Sequence, residues 1–283
     1  MVDTDDYTPY LRALVSSARG EVPFYRRLYA SYPNSIESPE DFAALPCFND
    51  NMLSREHLHD MVRDSDKIFH VCYPPNAFVA DCEMPRVQSL NDLEDEYVVL
   101  QWILEECTLD RDPVPRMAMI TGEKSSYYAG EIAKMIILTL NCPFGALVYR
   151  GQEPEKLRAA LESFEPEILL STIDIAPDAV PRSVNTILYT GYDKVTPEGK
   201  YKNPDWYHLL YHPFMGLVGF GHQTGEYRYN SDYFYLENDI TGQIVYTSFM
   251  QNLMPVIRYR SRDFGEVVDP HTGVLRLRYR GSH

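Results

Sequence analysis

The sequence predicts an α/β fold in which largely parallel sheets flanked by helices are followed by an antiparallel, β-rich C-terminal part. Between residues 116 and 189, short apolar runs alternate with segments whose apolar residues recur at helical spacing. This rhythm is typical of βαβ units with parallel strands. Beyond residue 220, runs with a period of two are separated by the turn sequences DITG (239–242) and PHTG (270–273). These turns indicate hairpins, and hence antiparallel strands.

The N-terminal part is predicted to be helical. Residues 7–30 carry apolar side chains at helical spacing, with an interruption at Pro23. Another helix is predicted to begin after Ser38, which is a good N-cap residue. Pro39 suits the first helical position, and Asp41 stands at the capping-box position.

The central part is predicted to alternate helices with strands. Helices are expected at 91–107, 127–140 and 153–164, and strands at 116–120, 146–149, 167–171 and 184–189. We expect the chain to divide into N-terminal helices and lead-in (1–70), an α/β part (71–205) and a β-rich part (206–283).

Four tyrosines follow at a period of two and share one face of a predicted strand. The run indicates a half-buried antiparallel strand, with an aromatic wall for a ligand as the alternative. The four are Tyr227, Tyr229, Tyr233 and Tyr235.

Composition excludes some classes of partner. The chain has 283 residues, 45% of them hydrophobic, which is enough to bury a core in one large or two modest domains. Its 41 acidic and 26 basic residues give a net charge of -15. Phosphate backbones and anionic lipids repel such a chain, so neither nucleic acid nor a membrane is an expected partner.

The ends and cysteines of the sequence favour a cytoplasmic protein. No apolar run reaches the ~18 residues that a membrane-spanning helix needs, and the N-terminus, MVDTDDYTPY, is acidic, unlike a signal peptide. The five cysteines include no CxxC pair and have no histidine at metal-ligand spacing, so reduced thiols are expected, and neither disulfides nor a metal site. They are Cys47, Cys72, Cys82, Cys107 and Cys142.

The most informative stretch is residues 252–267, NLMPVIRYRSRDFGEV. Strand geometry would place three arginines on one face, with Tyr259 and Ser261 on the other. Such a face suits an anionic ligand or a buried carboxylate network, because adjacent like charges repel unless an anion lies among them. A solvated edge strand that uses its charge to avoid pairing is the alternative. The three arginines are Arg258, Arg260 and Arg262.

This stretch resembles a segment of adenylate-forming enzymes of the phenylacetate-CoA ligase type, whose pattern is Arg-Tyr-Arg-Thr-Gly-Asp-Leu. Arg258, Tyr259, Arg260 and Asp263 match, and Arg262 replaces the glycine. The resemblance implies the fold of the family's large N-terminal domain and a role for Asp263 in holding the ribose of ATP.

The resemblance extends to the N-terminal part and then shows three losses. VPFYRRLY and SPEDFAALPCFNDNML look like the family's opening helices. Residues 69–97 lack the glycines of the family's phosphate loop, Arg86 is their only Lys or Arg, and Asp81 and Glu83 would repel a triphosphate. Met215 stands near the family's magnesium-binding Glu, and a thioether does not bind Mg²⁺. The chain stops about where the family's small C-terminal domain, with its lysine, would begin.

Our first hypothesis is a repurposed enzyme of small-molecule biosynthesis that acts on an acyl or aryl carboxylate derivative, either an acyl thioester or a ready-made adenylate. It would use the cleft expected between the Tyr211 region and the strand from Arg258 to Asp263. It would do so without the usual ATP chemistry, and it requires no cofactor and no metal. For each candidate histidine a structural role is the alternative. The candidates are His212 and His222 as acid/base groups, Tyr211 as a donor, Arg258 and Arg260 as anion holders and Asp263 as their orienter.

Two other hypotheses stay open. The chain could adenylate a carboxylic acid with ATP and Mg²⁺, completed by a partner chain that supplies the missing domain. It could instead be a non-catalytic partner of an intact ligase or of a carrier protein. The oligomeric state, including a homodimer, is left open by the sequence.

Overall fold

The computed structural model describes residues 7–33, 35–72, 85–107, 114–122, 130, 132–137, 141–190, 204–212, 214–222 and 225–279. The chain forms two compact units. Unit 1 comprises Met1–Glu96, His212–Gly216 and Tyr229–His283, and unit 2 comprises Tyr97–Tyr211 and Leu217–Arg228. The three-part division expected from the sequence remains a prediction.

Unit 1 begins with short helices whose ends are set by local sequence signals. The predicted break at Pro23 is confirmed, because Val22 is extended and separates the first two helices. Ser38 caps the third helix through a capping box with Asp41, as predicted. The helices are α1 (Thr8–Glu21), α2 (Pro23–Leu28), α3 (Pro39–Ala43), α4 (Asp50–Leu53) and α5 (Leu58–Met61).

The strands of unit 1 are antiparallel. A small pair joins β1 (His70–Cys72) to β2 (Arg86–Gln88). The predicted hairpin turns are confirmed, with Gly242 and Gly273 at positive φ. Four C-terminal strands pair in chain order, β10 (Phe234–Asn238), β11 (Gln243–Ser248), β12 (Tyr259–Asp269) and β13 (Val274–Tyr279).

The predicted tyrosine strand is broken in two. Strand β9 (Glu226–Tyr229) buries Tyr227 and Tyr229, as predicted, and then ends. The Asn230 side chain accepts a hydrogen bond from the backbone N–H of Asp232, which is a turn-forming contact. When the chain resumes in β10, the buried face carries Phe234 and Leu236, so Tyr235 does not continue the tyrosine face.

Unit 2 contains the predicted parallel sheet. The pairs β3–β4, β3–β5, β5–β6 and β6–β7 are all parallel, and the strand order is β8-β7-β6-β5-β3-β4. The strands are β3 (Met117–Gly122), β4 (Phe144–Tyr149), β5 (Ile168–Ser171), β6 (Thr186–Tyr189), β7 (Asp205–His212) and β8 (Gly216–His222).

Helices alternate with these strands along the chain, as the periodicity predicted. The long helix α6 (Leu90–Glu106) precedes β3, residues 132–137 are helical, and α7 (Pro154–Glu162) lies between β4 and β5. Leu157 and Leu161 of α7 are buried in the same apolar cluster as the inward-facing residues of β3, β5 and β6. This alternation confirms the α/β fold class.

Each unit has its own apolar core. In unit 1 aromatic edges link the helices to β12, since the Phe48 ring lies 5.5 Å from Phe24 and 5.3 Å from Tyr259. Of the cysteines whose side chains are described, Cys107 and Cys142 are buried free thiols and Cys47 is a half-buried one. None of the helices in the described part of the chain is both long and apolar enough to cross a membrane.

Candidate functional site

The arginine-rich stretch only partly follows the predicted alternation. Tyr259 and Ser261 lie on the buried face of β12, whereas Arg260 and Arg262 project from the other face with 40% and 36% of their side chains exposed. Arg258 differs from the prediction. It precedes the strand with φ of 56°, so its side chain leaves the row.

Each of these arginines meets a carboxylate from another part of unit 1. The Arg258 guanidinium pairs with Glu237 and also donates to the backbone carbonyls of Ala43 and Leu45. The Nε atom of Arg260 lies 3.0 Å from Asp239 Oδ2, and Nε of Arg262 lies 3.2 Å from Asp50 Oδ2. The sequence was compatible with a face that meets anions or with a solvated edge strand. The carboxylates that pair with all three arginines favour the first interpretation. Arg258 also connects the strand to α3 and the residues that follow it.

The carboxylates respond differently to their surroundings. Burial raises the pKa of Glu237 although Arg258 opposes the shift, and burial raises the pKa of Asp50 against the effect of Tyr259 and Arg262. For Asp239, burial acts upward, but hydrogen bonds from Thr241 and Gln243 outweigh it and the pKa is lowered.

Asp263 and His212 belong to one buried polar cluster in unit 1. Asp263 is 5% exposed and accepts a hydrogen bond from the Tyr246 hydroxyl at 3.2 Å. The His212 ring lies 5.4 Å from the Tyr246 ring and 4.9 Å from the Tyr259 ring. Its Nδ1 accepts the backbone N–H of Phe214 at 3.2 Å, so the neutral ring carries its proton on Nε2. The structure thus links a predicted acid/base residue to the predicted ribose-binding residue through Tyr246.

The other two predicted catalytic residues belong to unit 2. Tyr211 is 3% exposed in β7. His222 ends β8 and is exposed, with its ring 5.0 Å from the Tyr207 ring. Tyr211 and His212 are adjacent in one strand, so their side chains point to opposite faces. The described contacts do not bring the three predicted catalytic residues into one cluster.

Sequence reasoning missed a histidine in unit 2. His208 is 1% exposed, and its Nδ1 lies 2.5 Å from the hydroxyl oxygen of Tyr227. The Tyr189 ring packs 5.3 Å from the His208 ring. The register pairs Tyr189 with both His208 and Ser171, which places this polar row near the carboxyl ends of parallel strands, where α/β proteins commonly bind ligands. The sequence DWYHLLYH (205–212) could have identified it. In a strand, His208 would lie on one face and its two chain neighbours on the other.

Sequence reasoning also missed a buried ion pair in unit 1. Arg86 and Glu96 are each 3% exposed, with Nη2 and Oε2 2.6 Å apart. Gln88 donates to the same carboxylate at 2.9 Å. The backbone carbonyl of Met215 accepts from Arg86 at 3.4 Å and from Gln251 at 3.5 Å. The spacing of Arg86 and Gln88 in β2 was a usable signal, because residues two apart share a face.

Gly216 lies against this network, where there is no space for a side chain. Its φ is 77°, and a Cβ atom there would lie 2.1 Å from Glu96 Oε1. Only glycine combines that backbone conformation with so close an approach of the carboxylate.

Some predicted features fall outside the described residues. The shortened phosphate loop, with Asp81 and Glu83, is one of them. Within the residues that the structure describes, no group of three His, Cys, Asp or Glu side chains is arranged to hold a metal ion.

Comparison with solved structures finds acyl-CoA ligases. An open conformation of 2-hydroxyisobutyryl-CoA ligase in complex with 2-HIB-AMP and CoA is 16% identical, with a TM-score of 0.70 over 95% of this chain and 72% of that one. The same ligase in its postadenylation state with R3-HIB-AMP is 17% identical, with a TM-score of 0.68 over 95% of this chain and 66% of that one.

A more distant likeness points to the same fold. O-succinylbenzoate-CoA synthetase from Bacillus subtilis in complex with AMP is 11% identical, with a TM-score of 0.51 over 77% of this chain and 63% of that one. No protein-family model matches the sequence, and no curated protein matches it significantly. The chain spans about two thirds to three quarters of the length of the 2-hydroxyisobutyryl-CoA ligase structures. At these identities the likeness establishes architecture, and by that measure this chain has the fold of the adenylate-forming CoA ligases.

Proposed function

We propose that this protein binds an acyl or aryl carboxylate derivative, either an acyl thioester or a ready-made acyl adenylate, and acts on it without holding ATP in the usual way. The fold supports the ligand class, because the solved structures that it resembles contain 2-HIB-AMP, R3-HIB-AMP or AMP. Family membership is part of this proposal, and it rests on the fold together with the match of Arg258, Tyr259, Arg260 and Asp263.

The observation that carries the proposal is the position of Arg86. It is the only Lys or Arg in residues 69–97, the stretch where the resemblance places the family's phosphate loop. Its guanidinium is buried, and Glu96 and the Met215 carbonyl accept its hydrogen bonds. A guanidinium that is only 3% exposed and already bonded to a carboxylate and a backbone carbonyl is not accessible to a triphosphate.

Met215 supports the same conclusion. Its side chain is 0% exposed, and its carbonyl oxygen already accepts hydrogen bonds from Arg86 and Gln251. The residues present here therefore do not fit a magnesium ion, which prefers several oxygen ligands with water in its shell. The proposed activity therefore uses neither ATP nor Mg²⁺ at this position.

The cluster of Asp263, Tyr246 and His212 supplies the chemistry in this proposal. The carboxylate of Asp263 is an acceptor for a ligand hydroxyl, and Tyr246 orients it with a hydrogen bond of 3.2 Å. His212 presents Nε2–H, because Nδ1 is occupied by the Phe214 amide. A neutral ring of this tautomer can donate a hydrogen bond from Nε2 to an acyl carbonyl oxygen and stabilise the negative charge that develops there during acyl transfer.

Calorimetry with two kinds of ligand tests the proposal. We expect binding of a non-hydrolysable acyl adenylate mimic or of an acyl-CoA, and no micromolar binding of ATP with Mg²⁺. Asp263→Asn should weaken adenylate binding about ten-fold, the effect of losing one hydrogen bond to a charged group. The exposed Asp232→Asn in the same unit is the matched control and should bind as the parent does.

Micromolar binding of ATP with Mg²⁺ would contradict the proposal. His212→Gln gives a separate check, since it should lower turnover of an acyl thioester while binding is retained. Equal turnover in the variant and the parent would remove His212 from the mechanism.

One alternative has an observation in its favour. Asp263 is present and buried at the position that the resemblance assigns to ribose binding, and the similar ligase structures hold acyl adenylates. ATP-dependent adenylation of a carboxylic acid is therefore the second candidate. Carboxylate-dependent exchange of pyrophosphate into ATP, lost in Asp263→Asn and kept in Asp232→Asn, would establish it. Silence across a broad acid panel would dismiss it.

A further inference from the structure

A small polar cavity lies beside Arg260 and Arg262 of β12. Its volume is about 200 Å³, and its walls come from the start of α4 and from β11 and β12 of unit 1. Its lining residues are Arg260, Ser261 and Arg262 of β12, Gln243 of β11, and Asn49, Asp50 and Asn51 at the start of α4. Asp263, Tyr246 and His212 are not among them, so this cavity is distinct from the cluster described above.

The two guanidinium groups are close together and accessible. Residues two apart on one strand face are separated by about 6.8 Å along the strand. The side chains of Arg260 and Arg262 are 40% and 36% exposed. The Nε atom of Arg260 is itself buried beside Asp239, so the exposed area of this arginine belongs to the rest of its side chain.

The neighbouring carboxylates orient the arginines through one edge. Asp239 approaches Arg260 at Nε (3.0 Å), and Asp50 approaches Arg262 at Nε (3.2 Å). Asp50 is further engaged because the Tyr259 hydroxyl donates to its other oxygen. Arg260 also hydrogen-bonds the Cys47 side chain. A guanidinium carries five N–H donors, so these contacts leave donor capacity at the terminal nitrogens.

We propose that this cavity is a binding site for a small oxyanion, a phosphate or carboxylate group, held between Arg260 and Arg262. Planar N–H forks match the oxygens of such groups, and the amides of Asn49 and Asn51 add donors at the rim. The site depends on Arg262, which stands where the resembling segment of adenylate-forming enzymes has glycine. It uses neither Asp263 nor His212, and it shares with the first hypothesis of the sequence analysis only Arg260 as an anion holder.

Titration of the intact chain with sodium phosphate, sodium pyrophosphate and sodium acetate tests this site. The ionic strength is held constant with chloride, and heat and ³¹P line widths are recorded. We expect saturable binding of at least one of these anions. Arg262→Gln and Arg260→Gln should each weaken it about ten-fold or more, the effect of losing one charge-assisted contact. Comparison of the phosphate and acetate arms identifies which oxyanion the site prefers.

Two further variants make the result unambiguous. Arg278→Gln removes an exposed cation from the neighbouring strand β13 and should leave the affinity unchanged. Asn51→Asp adds a negative charge at an exposed lining position, where folding is not at stake, and should lower anion affinity several-fold. Anion binding that is equal in Arg262→Gln, Asn51→Asp and the parent would overturn the proposal. Absence of saturable binding by all three anions would overturn it as well.

Discussion

The buried pair Arg86–Glu96 makes the sharpest prediction about the energetics of unit 1. The substitution Glu96→Gln keeps the shape of the side chain and removes its charge, which leaves the Arg86 guanidinium buried beside a neutral amide. Both side chains are 3% exposed, so water does not replace the lost carboxylate. The contacts removed or weakened are those from Arg86 at 2.6 and 3.3 Å and from Gln88 at 2.9 Å.

The expected cost is about 3 to 5 kcal/mol, the range found when one partner of a buried ion pair is removed. This is a large share of the ~5 to 15 kcal/mol that stabilises a typical domain. Urea unfolding followed by circular dichroism measures it, and a slope of about 2 to 3 kcal/mol per M converts the loss into a midpoint shift of roughly 1 to 2.5 M. The chain has two compact units, so the comparison uses the transition that involves unit 1.

Two controls separate burial from charge. Glu37→Gln makes the same chemical change in the exposed pair Arg12–Glu37, whose side chains are 46% and 66% exposed, and should cost under ~1 kcal/mol. The double variant Arg86→Met with Glu96→Met removes both charges and should recover most of the loss. Equal destabilisation by Glu96→Gln and Glu37→Gln would refute the reasoning.

Three other outcomes follow from single contacts. Gly216→Ala should lower the free energy of unfolding in urea by about 2 kcal/mol or more, because φ is 77° and the new Cβ would meet Glu96. The control Gly20→Ala in α1 has open space around it and should raise the free energy of unfolding by about 0.5 kcal/mol. Ser38→Ala removes the capping box of α3 and should lower the free energy of unfolding by about 1 kcal/mol in the same assay. In the folded protein the pKa of Asp239 lies below its ordinary value of 3.8. The ionised carboxylate therefore stabilises the protein above pH 3.8, and this contribution is lost as the pH falls through the folded pKa. Asp239→Asn should accordingly flatten the acid limb of a plot of stability against pH.

Local signals in the sequence were sufficient for the fold class and for much of the secondary structure. The capping box at Ser38, the break at Pro23 and the turns ending in Gly242 and Gly273 depend on neighbouring residues alone, and all were predicted. The parallel strands between 117 and 189 followed from periodicity, since the pattern of a buried strand differs from that of a helix face. The tyrosine run was misread as one strand because periodicity does not detect the turn begun by Asn230.

The partners of charged side chains were decided by the tertiary structure. The sequence indicated that Arg258, Arg260 and Arg262 need anions, and it suggested a ligand or a carboxylate network as the source. The carboxylates that meet them, Glu237, Asp239 and Asp50, come from elements up to 212 residues away in the chain, an interval that follows from the numbers of Arg262 and Asp50. Likewise the sequence identified Arg86 only as the single Lys or Arg of residues 69–97, and its partner, Glu96, was decided by the fold. Sequence pattern records which residues share a face, whereas long-range pairing depends on how the elements pack, and a sequence pattern read over short windows does not contain that information.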